Sequence, residues 1–278
     1  EKGYFEDEGL EVEIVQPPED GADALVASGK AQFGISFQDT MAPGVVGEDA
    51  LPTTAVAAVV QHNTSGIISR KGEGMDTPKG LEGKKYATWD APIEKAMMEN
   101  VVEADGGDFS KVELIPSTVT DEVSALESKS VDAIWIFYAW AGVATEVAGL
   151  ETDYFAFKDI NPAFDYYTPV IIGNNEFLEK EPETAKKFLS AVKKGYEDAI
   201  EDPDGAAEIL CEAAPELDQE LVKASQEYLK DQYIADADRW GYIDPDRWNL
   251  FYNWLNENGL TENEIPENTG FSNEYLPE

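Results

Sequence analysis

The stretch "KKYATWDAPIEKAMMENVVEADGGDFSKVELIPS", residues 84–117, decides the fold class. Its ends, "KKYATW" (84–89) and "VELIPS" (112–117), are short, largely apolar runs of the kind that form strands, and "APIEKAMMENVVEAD" (91–105) between them carries helical apolar spacing. The alternation continues in both directions. Further strands are predicted at "LEVEIV" (10–15), "AQFGISF" (31–37), "TTAVAAVV" (53–60), "GIISR" (66–70), "VDAIWIF" (131–137) and "YYTPVIIG" (166–173), and further helices at "GADALVASG" (21–29) and "VTDEVSALESKS" (119–130). Most of the strands are nearly all apolar, as strands buried on both faces of a parallel sheet should be. Strand and helix in alternation mean α/β. After Asn174 the pattern changes: "EPETAKKFLSAVKKGYEDAI", "PDGAAEILCEAA", "DQELVKASQEYLKD" and "DPDRWNLFYNWLNENGL" each begin near Pro, Asp or Asn and read as helices, so a helical tail closes the chain.

At 278 residues the chain exceeds the size at which one core usually serves, so two domains are expected, with "RKGEGMDTPKGLEGKK" (70–85) as the best composition break. With 57 acidic against 20 basic residues the formal net charge is -37, which repels nucleic acid and anionic lipid. Disorder is excluded by the 30 aromatics (6 Trp, 12 Tyr, 12 Phe) spread along the sequence. The carboxylates form a solvated skin suited to an extracellular or high-salt setting. The single cysteine, Cys211, can form neither an internal disulfide nor a cysteine-based metal site, and its apolar helical surroundings favour an inert buried thiol. No apolar run approaches membrane-spanning length. The opening "EKGYFEDEGLEVEIV" reads as the end of a helix followed by a strand, so an earlier strand and an export signal are expected to lie outside the given sequence.

Several stretches carry a resemblance. "EKGYFEDEGLEVEI" followed by "ALVASGKAQFGIS" resembles the opening of extracytoplasmic solute-binding proteins of the NMT1/THI5-like family, and "TPKGLEGKKYA" is similar to the start of their second domain. "YAWAGVATEVAGLETDYFAFKDINPAFDYYTPVIIGNNEFL" and "RWGYIDPDRWNLFYNWLNENGL" resemble the thiamine-pyrimidine branch of that family. The resemblance implies a two-lobed α/β periplasmic-binding-protein fold, type II-like, with hinge crossover strands and ligand in the interlobe cleft. It also implies an extracytoplasmic location, periplasmic or lipid-anchored, and a permease with its ATPase as partners. Lobe one is expected over 1–72 plus 169–278 and lobe two over 73–168. A monomer is expected, touching membrane only through the permease or a lipid anchor.

Ligands in open α/β sheets sit beyond the carboxyl ends of the strands. Those ends supply Gln38 and Asp39, Gln61 and Asn63 flanking His62, Trp89 and Asp90, Ser117 and Thr118, and Tyr138 with Trp140, while Asp165 and Tyr166 fall where the chain should cross back. Each has an ordinary alternative use. Gln38, Asp39 and Asp90 suit N-caps of the helices that follow, and His62 suits a hinge hydrogen bond. In "DAIWIFYAWAG" (132–142) Trp135 and Phe137 are assigned to the strand interior and Tyr138 and Trp140 to the cleft.

None of the three arginines, Arg70, Arg239 and Arg247, is among the candidate ligand-side residues, so the bidentate fork that suits sulfonate, phosphate or carboxylate is missing. Helix N-termini also bind anions, which keeps sulfonates, taurine and nitrate as alternatives beside riboflavin. Aromatic faces with acid and amide side chains suit a flat nitrogen heterocycle, and an aminopyrimidine fits. No metal, cofactor or catalytic set is expected. The enzyme alternative, a eukaryotic thiamine-pyrimidine synthase of the same fold, uses a cysteine-rich motif that one cysteine cannot supply, and no lysine lies between Lys30 and Lys71 to accompany His62. No "GxSxG" or "HExxH" pattern occurs. A structural or adhesive surface protein would not need hinged α/β lobes.

Overall fold

The computed structural model describes residues 1–18 and 21–278. Among them the strands are β1 (Phe33–Ser36), β2 (Thr53–Ala58), β3 (Ser65–Arg70), β4 (Lys85–Thr88), β5 (Glu113–Pro116), β6 (Ala133–Phe137), β7 (Thr152–Ala156) and β8 (Val170–Asn174). The helices are α1 (Tyr4–Asp7), α2 (Asp23–Ala27), α3 (Gln38–Met41), α4 (Pro92–Ala104), α5 (Glu122–Glu127), α6 (Val143–Val147), α7 (Asn175–Lys180), α8 (Pro182–Glu201), α9 (Pro203–Ala213), α10 (Gln219–Leu229) and α11 (Pro245–Glu257). The chain is α/β, and its contacts divide it into two compact units. Unit 1 is Glu1–His62, Tyr166–Ala213 and Gln226–Glu278, and unit 2 is Asn63–Asp165 with Ala214–Ser225.

Unit 1 carries the sheet β1-β8-β2, with β8 antiparallel to both neighbours and a register shift at Ala55/Ala57. Val56 and Ile171 from this sheet form one core with Val60, with Leu189 and Ala185 of α8 and with Trp240. The helical tail predicted after Asn174 is present, and its caps explain where two helices start. The Asn174 side chain accepts the Phe177 N–H at 2.9 Å to open α7, and Asp244, followed by Pro245, accepts the Arg247 N–H at 2.9 Å to open α11. Trp248, Phe251 and Tyr252 of α11 are buried, with Phe251 stacked on Tyr166 at 4.1 Å.

Unit 2 carries the sheet β5-β4-β6-β3-β7. Only β4 with β5 and β4 with β6 are parallel; β3 runs antiparallel to β6 and β7. Alternation along β6 sorts its side chains. Ile134 and Ile136 join Ile68, Ala87 and Leu126 in one core, while Trp135 points the other way, packing its ring 4.3 Å from Phe157 and 5.4 Å from Trp89.

Several expectations change here. The sheets are antiparallel and mixed rather than parallel, because apolar runs are also produced by antiparallel strands covered on both faces. "LEVEIV" forms no strand; Ile14 is 89% exposed, and no described strand pairs with it. "GIISR", expected in lobe one, is β3 and belongs to unit 2, since its ladders are made with β6 and β7. Strand β7, "TDYFA", was not foreseen. Ala214–Ser225, expected with the helical tail, groups with unit 2.

Candidate functional site

In unit 2 the carboxyl ends of β4, β5 and β6 point to one edge of the sheet, and there a depression of about 200 Å³ is lined by Trp89, Ser117, Glu122, Trp135, Phe137 and Trp140 with aliphatic residues between them. Three of these aromatics are open to solvent: Trp89 is 50% exposed, Trp140 42% and Phe137 38%. Trp135 is only 7% exposed and forms the floor. Exposed aromatic rings gathered at a strand edge are costly to leave in water and suit a planar ligand.

Phe137 was assigned to the strand interior and corrects that placement. It is the last residue of β6, pairs with Ser65 at the first position of β3, and lies past the cover that buries Trp135. Tyr138, assigned to the ligand side, is half-buried instead: its ring packs 4.7 Å from Tyr154, and its hydroxyl donates to Glu146. It starts a π-helical turn, Tyr138–Gly142, that leads into α6. Gly142 is required there, because a Cβ on it would stand 2.5 Å from the Tyr138 ring.

The loop bearing Trp89 and Asp90 is held by a residue that sequence reasoning missed. Glu94 is buried, and its carboxylate accepts from the Tyr86 hydroxyl at 2.6 Å, the Thr88 hydroxyl at 3.1 Å and the main-chain N–H groups of Trp89 at 3.1 Å and Ala91 at 3.3 Å. The signal was there: Pro92 at the first helical position and Glu94 two residues later are N-terminal features of α4. Asp90 adopts the left-handed region at φ 63°, which Asp tolerates better than most residues, and its exposed carboxylate pairs with Lys95 at 2.8 Å.

In unit 1 the polar residues beyond the strand ends divide into structural and open ones. Gln38 is fully buried; its amide donates to the Trp248 carbonyl at 2.9 Å and accepts from the Tyr167 N–H at 2.9 Å. Gln61 is buried and donates to the Tyr242 carbonyl at 3.0 Å. Both carboxamides therefore hold main chain. Asn63, in unit 2, does the same, accepting from Ser65 N–H at 2.8 Å and donating to the Phe164 carbonyl at 2.8 Å, while the Asp165 carboxylate takes the Asn63 N–H at 2.9 Å. Tyr166 is buried against Phe251. Asp39 differs. It is half-buried in the first turn of α3, and burial pushes its carboxyl above the usual carboxylate range, with the N–H groups of Thr40 and Asp39 and the Tyr166 hydroxyl partly offsetting the shift. Burial, and next the nearby Asp39 charge, push the Tyr252 phenol well up.

The basic side chains are engaged elsewhere. Arg70 lies at the other end of β3, bonded to Glu73 at 2.9 Å, Asp132 at 2.6 Å and the Leu126 and Val131 carbonyls. Arg247 sits 5.3 Å from the centre of the Tyr167 ring and donates to the Gln61 carbonyl, and Arg239 donates to the Pro277 carbonyl at 3.1 Å. His62 Nε2 lies 3.0 Å from Asp236.

The model of the NMT1/THI5 like family matches residues 1–206. A formylaminopyrimidine-binding protein of Halalkalibacterium halodurans is 28% identical over 98% of this chain and 83% of its own length. A 4-amino-5-hydroxymethyl-2-methylpyrimidine phosphate synthase of Saccharomyces cerevisiae is 27% identical over 79% of this chain and 67% of its own. Among solved structures, a sulfonate-binding protein of Methylobacillus flagellatus superposes with a TM-score of 0.69 at 17% identity, covering 98% of this chain and 82% of that one. The fold is that of the periplasmic binding proteins.

Proposed function

This chain belongs to the NMT1/THI5-like family, and from that we propose that it is the solute-binding component of an ATP-driven importer, capturing a thiamine pyrimidine precursor of the 4-aminopyrimidine class. The observation that carries the ligand class is the depression edged by Trp89, Phe137 and Trp140, which offers ring faces and no cation. A formylaminopyrimidine-binding relative aligned over nearly the whole chain supports the same class. Trp89, Phe137 and Trp140 are assigned to stacking on the ligand. Gln38, Gln61, Asn63, Asp165 and Tyr166 are assigned to support, since they are taken up by internal contacts. Asp90 and Tyr138 are assigned to the rim.

A sulfonate or nitrate is disfavoured because the three arginines are engaged with carboxylates, carbonyls and a phenol ring. A synthase activity like that of the yeast relative is disfavoured by the single cysteine and by a lone histidine set against Asp236. The protein is assigned to the extracytoplasmic side of a membrane, with a permease and its ATPase as partners. Among the described residues no helix is long and apolar enough to cross a membrane.

A thermal-shift screen against formylaminopyrimidine, 4-amino-5-hydroxymethyl-2-methylpyrimidine, riboflavin, taurine, an alkanesulfonate and nitrate tests the class. A ligand at about 100 times its Kd adds about 2.7 kcal/mol. For a chain of this size that raises the melting temperature by roughly 5 to 10 °C. The aminopyrimidines are expected to give that shift; a shift only with the anions overturns the ligand class. Bound aminopyrimidine is expected to be recovered chemically unchanged, and a chelator to leave binding intact. Affinity is expected to change little between low and high salt, because stacking and short hydrogen bonds are not screened as distant charges are. A steep loss of affinity with salt would instead assign binding to attraction of a cation by the acidic surface.

A further inference from the structure

We propose that Glu122 is the specificity-determining residue of the depression in unit 2, its carboxylate accepting an exocyclic N–H of a 4-aminopyrimidine whose ring lies against the exposed aromatics. The proposal rests on the aminopyrimidine reading above and adds to it the side chain that tells an amino group from an oxo group.

The walls of the depression are aromatic and aliphatic, and among the described residues only Ser117 and Glu122 bring side-chain oxygen atoms to them. Glu122 is the first residue of α5 and is half-buried. It follows Asp121, whose carboxylate is spent on the Ser124 N–H at 2.9 Å and the Ser124 hydroxyl at 2.7 Å. The two adjacent acids thus have different duties. Asp121 caps the helix, whereas Glu122 makes no ion pair and no side-chain hydrogen bond among the described residues. No lysine, arginine or histidine lines the depression to neutralise it. A carboxylate set among rings and aliphatic side chains has given up part of its water with no protein donor in return, and a ligand N–H supplies that donor.

The aromatic faces cannot make this choice. They accept any flat ring, because every such ring has a face to offer, whatever its substituents. A carboxylate, in contrast, accepts and does not donate. A ring amine brings two N–H donors to it, and hydrogen bonds to an ionised acceptor are about twice as strong as those between neutral groups. A ring carbonyl in the same place sets its lone pairs against those of Glu122. Sulfonate and nitrate present only oxygens and meet the same repulsion, so Glu122 disfavours them independently of where the arginines lie. Ring and substituent are read from separate elements: Trp89 follows β4, Phe137 ends β6, Trp140 stands in the π-helical turn, and Glu122 stands on α5.

The test is isothermal titration of the parent and two variants with three probes: 4-amino-5-hydroxymethyl-2-methylpyrimidine, the analogue with hydrogen in place of the amine, and the 4-oxo analogue. The parent is expected to bind the amino compound about 10- to 100-fold more tightly than the hydrogen analogue, the usual worth of one hydrogen bond to a charged group, and the oxo compound more weakly still. Glu122→Leu is expected to weaken the amino compound by about 10- to 100-fold while leaving the hydrogen analogue within about threefold, so that the preference disappears. Glu122→Gln keeps one acceptor oxygen and gains N–H donors. It is expected to lose less than about tenfold for the amino compound and to bind the oxo compound more tightly than the parent does. Replacing Glu122 leaves no protein donor without its acceptor, so both variants are expected to melt close to the parent. Misfolding would lower all three affinities alike and leave their ratios unchanged. Equal binding of the amino compound and the hydrogen analogue by the parent, or a preference that survives in Glu122→Leu, overturns the proposal while leaving the ligand class standing. Absence of any aminopyrimidine binding by the parent overturns both.

Discussion

Trp135→Ala is expected to cost about 3 to 5 kcal/mol of stability, the usual effect of emptying a buried aromatic position, and to shift the urea midpoint accordingly. The ring is 7% exposed, lies 4.3 Å from Phe157 and 5.4 Å from Trp89, and occupies the middle of β6, which is paired on both sides. Among the described residues its indole N–H has no hydrogen-bond partner, so the loss is one of packing and truncation orphans no other described group. Trp140→Ala and Phe137→Ala supply the contrast. Both side chains stand open at the rim of the same depression, and each truncation is expected to change stability by no more than about 1 kcal/mol while weakening aminopyrimidine binding through the smaller stacking area. Unfolding and binding measured on the three variants separate floor from rim. If Phe137→Ala destabilises as much as Trp135→Ala and binds ligand normally, the depression is only a gap in the core.

That division could not be read from "DAIWIFYAWAG". Every residue from Ala133 to Phe137 is apolar, so the alternation that assigns faces leaves no trace in composition, and only the pairing of Ile67 with Trp135 and Ile68 with Ile134 shows which parity faces which layer. Locally determined features were legible. The helices starting at Pro92, Pro182, Pro203 and Pro245 were foreseen because caps, proline and apolar spacing lie within a few residues of one another. Features set by distant partners were not. "LEVEIV" has a strand's pattern, but a strand exists only where another chain segment bonds to it. "TDYFA" lacks the pattern and becomes β7 through its ladder with β3. The polar residues at strand ends were located by topology, yet topology is silent on whether an amide is free. Gln38, Gln61 and Asn63 have the right address and commit their hydrogen bonds to the backbone, and Asp39, chosen by the same rule, is likewise held by the N–H groups of Thr40 and Asp39 and by the Tyr166 hydroxyl.

Glu94→Ala is expected to destabilise the protein by at least about 3 kcal/mol and to weaken ligand binding with it. Removing the carboxylate leaves the buried Tyr86 hydroxyl and the Trp89 and Ala91 N–H groups without an acceptor, each orphaned donor costing about 1 to 3 kcal/mol. It also removes the acidic group from the first turn of α4, which favours negative charge by its dipole. The four donors belong to β4, to the turn carrying Trp89 and Asp90, and to the entry of α4, so one side chain fixes the position from which the Trp89 ring reaches the depression. Glu94→Gln keeps the shape and one acceptor oxygen, and the Tyr86 hydroxyl can turn to accept from the new amide; its loss is expected to be smaller, roughly 1 to 2 kcal/mol. Binding supplies the second readout. Measured well below the melting temperature of each variant, Glu94→Ala is expected to bind aminopyrimidine about as weakly as Trp89→Ala, since an unanchored loop forfeits the stacking that the truncated ring lacks. A Glu94→Ala protein with the parent's urea midpoint would show that the carboxylate is dispensable to the fold, and one that unfolds early yet binds like the parent would show that Trp89 is held in place by something other than Glu94.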